Sequence, residues 1–187
     1  MPYKYSAQII QQLWRPDEGG VAAPQIYAIL DGARDRRIYP TLVSSDAEFI
    51  CLYKGEIPKV LAEAAPYLVQ LKKDSEFTDW VLRFGWGESW GIFVKAPTTI
   101  ENLRRHFRQF LMAQTEDGKQ FYFRYYDPRV WRVYLPTCNK NELEEIFGPV
   151  QRYYVEGEDA DTLIEYVLNN SKLARNVVEL KAVAATI

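Results

Sequence analysis

One histidine, two cysteines and a scatter of paired carboxylates make up the reactive side chains of this sequence. His106 stands among Arg104, Arg105 and Arg108, a setting for a surface or interface histidine. A single histidine builds no histidine metal site and leaves no spare general base. Cys51 lies in an apolar run, where a thiol behaves as a small hydrophobe. Cys51 and His106 have the right types for a nucleophile and its base, with no spacing to support the pairing. Cys51 and Cys138 lack Cys-x-x-Cys spacing, so zinc is not expected. Asp31 with Asp35, and Glu144 with Glu145, are the kind of carboxylate pairs that any chain with 25 acids contains. Gly85-Trp-Gly87 and Glu88-Ser-Trp-Gly91 are too bulky for a phosphate loop, and no helix is expected to follow them. They read as a tight turn into a strand with Trp86 and Trp90 packed around it. No catalytic residue, cofactor or metal ligand is expected from these patterns.

The densest feature is Phe121-Tyr-Phe-Arg-Tyr-Tyr-Asp-Pro-Arg129. Read as a strand, Phe121, Phe123 and Tyr125 point one way, toward the core, and Tyr122, Arg124 and Tyr126 the other. Arg124 cannot be buried without a partner. Asp127 is the nearest one, and it also caps a helix with Pro128 at the first position. Arg129 in that first turn opposes the helix dipole, which implies another reason for its presence. The segment is either an ion-paired strand-to-helix corner or a partner-facing surface. Trp86, Trp90, Arg124, Tyr126, Asp127 and Arg129 are the candidate partner-binding residues. Arg34, Arg36 and Arg37 form a solvated face or a phosphate or partner contact.

These residues have to be positioned by alternating strands and helices. Strands are expected at 25–30, 48–53, 67–71, 89–95, 119–126 (the longest) and 151–156. Helices are expected after Ser75, with Phe77, Trp80, Val81 and Phe84 on one face, and after Thr98, with Glu101 completing a capping box. Further starts fall at Asp127 and at Asn139 with Glu142, and 58–65 is a short helix stopped by Pro66. The fold class is α/β, with a mixed sheet because several connections are short. Residues 1–156 form the core domain. Residues 157–187 are expected as a short helical appendage, with Leu163, Ile164, Val167 and Leu168 on a helix beginning near Asp161, Asn169-Asn-Ser171 interrupting it, and 181–187 frayed.

Composition bounds the function classes. The chain has 187 residues, 48% of them apolar and 26% charged. A chain of that size buries roughly 70% of its unfolded surface and needs no staples. Rings are frequent, with 13 Tyr and 5 Trp, and they need packing partners or a binding face. A net charge of −2 argues against a dedicated nucleic-acid binder. No stretch approaches the roughly 18 apolar residues of a membrane span. Met-Pro-Tyr-Lys-Tyr at the start lacks the apolar run of a signal peptide. Two cysteines suggest free thiols in a reducing compartment. A cytoplasmic protein is expected.

Arg124-Tyr-Tyr-Asp-Pro-Arg129, followed by Tyr134-Leu135, resembles the signature of a bacterial domain-of-unknown-function family whose members are type VI secretion adaptors, also called effector chaperones. Tyr27-Ala-Ile-Leu-Asp-Gly-Ala33, Cys51-Leu-Tyr53, Ala65-Pro-Tyr-Leu-Val69, Gly91-Ile-Phe-Val94, His106-Phe-Arg108 and Phe147-Gly-Pro-Val150 agree with it in order. The resemblance implies a non-enzymatic carrier. Such a protein binds a toxic type VI effector in the cytoplasm and helps load it onto the spike-tip protein of the valine-glycine-repeat type. The variable C-terminal part of the family, linked to effector choice, is short here. Two other classes stay open: a small α/β enzyme using Asp31, His106 or Asp127, and an immunity protein that binds a toxin.

Overall fold

A computed structural model describes residues 5–16, 24–114 and 117–182. Its elements are α1 (Ser6–Leu13), β1 (Gln25–Asp31), α2 (Ile38–Ser44), β2 (Phe49–Cys51), α3 (Lys59–Glu63), β3 (Pro66–Leu71), α4 (Glu76–Gly85), β4 (Gly91–Ala96) and α5 (Ile100–Phe107). They continue with β5 (Met112–Gln114), β6 (Gln120–Tyr122), α6 (Pro128–Tyr134), α7 (Lys140–Phe147), β7 (Arg152–Glu156), β8 (Thr162–Asn169) and β9 (Lys172–Glu179). Seven strands form one sheet in the order β2-β3-β1-β4-β7-β8-β9, and β5 and β6 form a separate ribbon.

The α/β class holds, but every neighbouring pair in the large sheet is antiparallel rather than mixed. β3 and β4 run the same way and flank β1, so α4 crosses over a strand that lies between them. This split strand-helix-strand unit gives alternation in sequence without parallel neighbours. β1 is buried from Ile26 to Asp31, because helices cover both faces. On one face, Tyr27, Ile29, Ile92, Val94 and Tyr153 pack with residues of α5, α6 and α7. On the other, Ile26, Ala28, Leu30, Phe93 and Tyr154 pack with residues of α1, α2 and α4.

The expected caps recur. Ser75 Oγ accepts from the Thr78 amide, and Asn139 with Glu142 closes a capping box. Asp127 caps α6 with Pro128 in its first turn. The cap of α5 is Thr99, one residue later than expected; Thr98 instead accepts from the Asn102 side chain.

Three expectations are corrected. The 162–179 segment is a β-hairpin, not a helix. Asn170 and Ser171 both adopt positive φ and join Asn169 to Lys172 in a two-residue loop, the geometry that matches the twist of a hairpin. Leu163 and Glu165 alternate with Ile164 and Tyr166 across the sheet, and β-branched and aromatic residues suit that surface. Of the 181–187 stretch expected to fray, residues 183–187 lie outside the described residues. The 119–126 strand shrinks to β6 because the chain turns after it, the Asp127 amide donating to the Arg124 carbonyl at 3.1 Å. Phe121 therefore stays on the ribbon, 43% exposed. Finally, His106 is not on the surface. Its ring is buried against Phe107 and Phe110, its Nε2 lies 2.9 Å from the Ile146 carbonyl, and desolvation lowers its pKa.

Glu165 locks the hairpin to the rest. Its buried carboxylate accepts from Arg152 at 2.8 Å, Arg15 at 2.9 Å and Asn176 at 3.0 Å. Burial pulls its pKa up, but these donors outweigh it and leave the value lowered.

Gly91 is the tightest backbone approach in the sheet. A Cβ there would lie 1.9 Å from the Ile29 carbonyl oxygen. Gly91→Ala is expected to cost more than the about 1–3 kcal/mol of ordinary overpacking. Chemical denaturation measures it, and a loss below 1 kcal/mol contradicts the packing described.

Candidate partner-binding site

The 124–129 corner begins where the β5–β6 ribbon ends. Tyr125 and Tyr126 turn inward as anchors. Tyr125 Oη donates to the Phe107 carbonyl at 3.0 Å, and its ring meets Phe107, Phe110 and Trp131. Tyr126 shares a hydroxyl hydrogen bond with Tyr53. Burial pushes both hydroxyls well above their ordinary pKa. With the two rings fixed, the flanking side chains are forced to the rim.

Arg124 does not pair with Asp127, as spacing alone suggests. Its guanidinium donates to Asp31, the last residue of β1. The Asp31 side chain is 1% exposed and that of Arg124 44%. The Asp31 carboxylate also accepts from the Ala33 amide at 3.1 Å. Asp127 serves Arg129 instead: its Oδ1 accepts from the Arg129 amide and Nε, both at 3.0 Å, and its Oδ2 from Nη2 at 2.6 Å. This answers why a cation sits in the first turn of α6, since Arg129 clamps the residue that caps it. Burial raises the Asp127 carboxyl, but the Arg129 hydrogen bonds outweigh it and hold it below the usual value.

A third buried carboxylate completes this end of the sheet. Glu156, at the end of β7, accepts from the Gly87 amide at 2.6 Å, the Ser89 amide at 2.8 Å and Ser89 Oγ at 3.0 Å. Desolvation raises its pKa against those donors. Arg132 donates to the Glu156 carbonyl at 2.8 Å, and Arg34 to the Glu88 carbonyl at 3.0 Å. Trp86 and Trp90 belong to the core here. Both are buried, Trp86 Nε1 donates to the Ala160 carbonyl at 2.7 Å, and Arg37 lies over the Trp90 ring. Of the six candidates, Arg124, Tyr126, Asp127 and Arg129 come together at one corner. Only the two arginines reach solvent to any extent.

Sequence reading missed the neighbours of this corner. The outer face of α6 lines a shallow groove formed by Asp127, Arg129, Val130, Val133, Tyr134 and Thr137. Val133 is 72% exposed. A second groove runs from Arg129, Arg132 and Val133 to Ile164, Tyr166 and Arg175. Met112 and Tyr122 on the β5–β6 ribbon are exposed as well. No local signal marks this patch, because its residues come from α6, β8 and β9. Among the described residues no group of three or more His, Cys, Asp or Glu is placed to hold a metal, and no helix is long and apolar enough to cross a membrane. Cys51 and Cys138 are free thiols with pKa values raised by burial. The arrangement offers two half-exposed guanidiniums beside apolar surface, a combination favoured at protein interfaces.

Two stability outcomes follow. Arg124→Ala strands the Asp31 carboxylate and should cost about 2–3 kcal/mol, less than a fully buried pair because Arg124 is half exposed. Adding Asp31→Asn removes the stranded charge and should restore about 1 kcal/mol or more in a double-mutant cycle; additive losses would contradict the pairing. Asp127→Asn keeps the cap and loses the ion pair, about 1 kcal/mol. Because the folded carboxyl is lowered, that stabilisation is full at neutral pH and is lost as pH falls from about 4 through the folded value. Melting curves of the two proteins should therefore converge on acidification, and a constant gap would refute the assignment.

A family described as a domain of unknown function, DUF4123, matches residues 26–145. The match runs from β1 into α7 and includes the whole 124–129 corner; β7, β8 and β9 lie beyond it. No curated protein and no solved structure matches the chain.

Proposed function

We propose that this chain, which belongs to the DUF4123 family, is an adaptor that binds a toxic type VI secretion effector in the cytoplasm and helps load it onto a spike-tip protein of the valine-glycine-repeat type. The observation that carries the reading is the family match over the segment holding Arg124-Tyr-Tyr-Asp-Pro-Arg129, the signature that resembles those adaptors. The geometry supports a docking role for that corner. Arg124 and Arg129 are held in fixed directions by buried carboxylates, so less entropy is lost when a partner meets them. Val133 and the grooves beside α6 supply apolar contact area next to the charges.

A second surface suits the same role. β9 is an outer strand of the large sheet, eight residues long, and pairs with β8 in unbroken register from Lys172 to Glu179. It contains no proline. A long regular edge of this kind accepts an added strand from another chain.

Affinity purification of the tagged chain from its own bacterium, with mass spectrometry of the co-purifying proteins, tests the reading. Recovery of a toxin-like protein together with a spike protein is the expected result. Recovery of neither, from cells with an active secretion system, overturns it. Val133→Asp should leave the melting temperature within about 1 °C, as a surface change does, and lower partner recovery at least tenfold. Undiminished recovery would remove the α6 face from the interface.

A further inference from the structure

β9 is the outer edge of the large sheet, and backbone hydrogen bonding fixes which of its groups face outward. Thr162 stands opposite Glu179 and turns its carbonyl away from β9, where it accepts from the Gly157 amide at 2.7 Å. One step along, the Leu180 amide donates to the Asp161 carbonyl at 2.6 Å. Bonded and unbonded pairs alternate along an antiparallel ladder. Lys172, Ala174, Asn176 and Val178 therefore bond to β8, while the amides and carbonyls of Leu173, Arg175, Val177 and Glu179 point out of the sheet. Among the described residues these outward groups have no backbone partner. The side chains of the same four residues share one face, as residues two apart on a strand do. Arg175, Val177 and Glu179 are exposed. Neither charge has a side-chain partner among the described residues. Four residues apart on a strand they are separated by roughly 13 Å, too far to pair with each other.

The outward set limits what can pair with it. Two copies of one edge strand can meet antiparallel about a twofold axis. Opposed residues must both face the new ladder or both face away from it, so the axis passes through a residue rather than between two. Centring on Arg175 sets that arginine against its own copy, a destabilising like-charge contact. Centring on Asn176 sets Arg175 against Val177 and Glu179 against Leu173. Centring on Val178 sets Arg175 against Lys181. Centring on Val177 sets Arg175 against Glu179 on both sides of the axis, with the two valines meeting between them. Directly opposed side chains stand about 4.5–5.5 Å apart at Cβ, and both opposite-charge and β-branched pairs at that distance stabilise a sheet. In this register the outward amides and carbonyls of Arg175, Val177 and Glu179 all find partners as well.

We infer that β9 pairs with β9 of a second copy of this chain, antiparallel and centred on Val177, so that two seven-stranded sheets become one continuous sheet. The occupant follows from the charge pattern. The cation and the anion sit two residues to either side of the valine, so a strand reading Glu, Val, Arg at the same spacing matches this edge. β9 run antiparallel is that strand. The inference rests on the strand edge and not on the adaptor reading, and it names the occupant of an edge which that reading leaves open.

The test is sedimentation velocity on the purified full chain over a range of concentrations. A concentration-dependent dimer is expected. Arg175→Glu and Glu179→Arg each set like charges opposite one another twice and should weaken self-association at least tenfold. Both side chains are exposed and unpaired, so each melting temperature should stay within about 2 °C of the unaltered chain. An equimolar mixture of the two variants restores both ion pairs across a mixed dimer. It should associate at least tenfold more tightly than either variant alone. Val177→Pro removes the central outward amide at an edge position where proline is tolerated, and should abolish the dimer. A monomer up to about 1 mM, a concentration that populates even a weakly associating pair, overturns the inference and leaves the edge to a strand of another protein. A dimer that neither charge variant weakens, or a mixture that does not recover, overturns the β9 register. Partner recovery from cells is a separate readout. A purified monomer that still recovers a toxin-like protein refutes the second copy alone, and a dimer that recovers none refutes the adaptor reading alone.

Discussion

Asp31 ends a strand that helices bury on both faces, so its carboxylate has to be met by a cation arriving from outside the sheet. Arg124 is that cation, brought from 93 residues away. Much of this end of the molecule depends on this contact. It pins the turn after β6, and the turn sets Tyr125 and Tyr126 into the core. The next residue, Asp127, is then positioned to start α6. A buried ion pair is weak evidence for net stability against an apolar replacement. Its effect here is directional: a single aspartate at the sheet end specifies where the chain after β6 must run.

The central elements were legible because local signals agreed with one another. β1, β3, β4 and β7 carry short apolar runs bounded by breakers. α4, α6 and α7 carry caps with side-chain acceptors at the expected positions. Two helices gave no such signal. α1 has no side-chain cap, and α2 has none and contains Pro40 in its first turns; both are held by what they bury, Ile9 and Leu13 in one case and Ile38 and Leu42 in the other. The C-terminal hairpin was misread because Leu163, Ile164, Val167 and Leu168 satisfy helical spacing, whereas in β8 they divide between two covered faces, Leu163 on one and Ile164 and Leu168 on the other. What decides between them is Glu165. On a solvated helix face it would need no partner, whereas in β8 it is the acceptor for Arg15, Arg152 and Asn176.

The site was legible in its residues and not in its pairings. Arg124, Tyr126, Asp127 and Arg129 do meet, because the motif is contiguous. The spacing offered Asp127 to Arg124 as its nearest partner and gave Arg129 none. Geometry assigns Asp127 to Arg129 through three hydrogen bonds, and Arg124 pairs with Asp31. Trp86 and Trp90 drew attention as large rings near glycines. Their burial follows from Glu156, which draws the Gly87 and Ser89 amides inward and closes the turn over both rings.

α6 connects the charged corner to the cluster of rings around Trp131. Its first turn holds the Asp127–Arg129 clamp, its middle carries Trp131 inward and Val133 outward, and its last residue, Tyr134, borders the groove. A helix of seven residues has little stability of its own, so its position is set by the cap at one end and by Trp131 packed on Tyr153 in the middle. A change at either anchor therefore shifts the other.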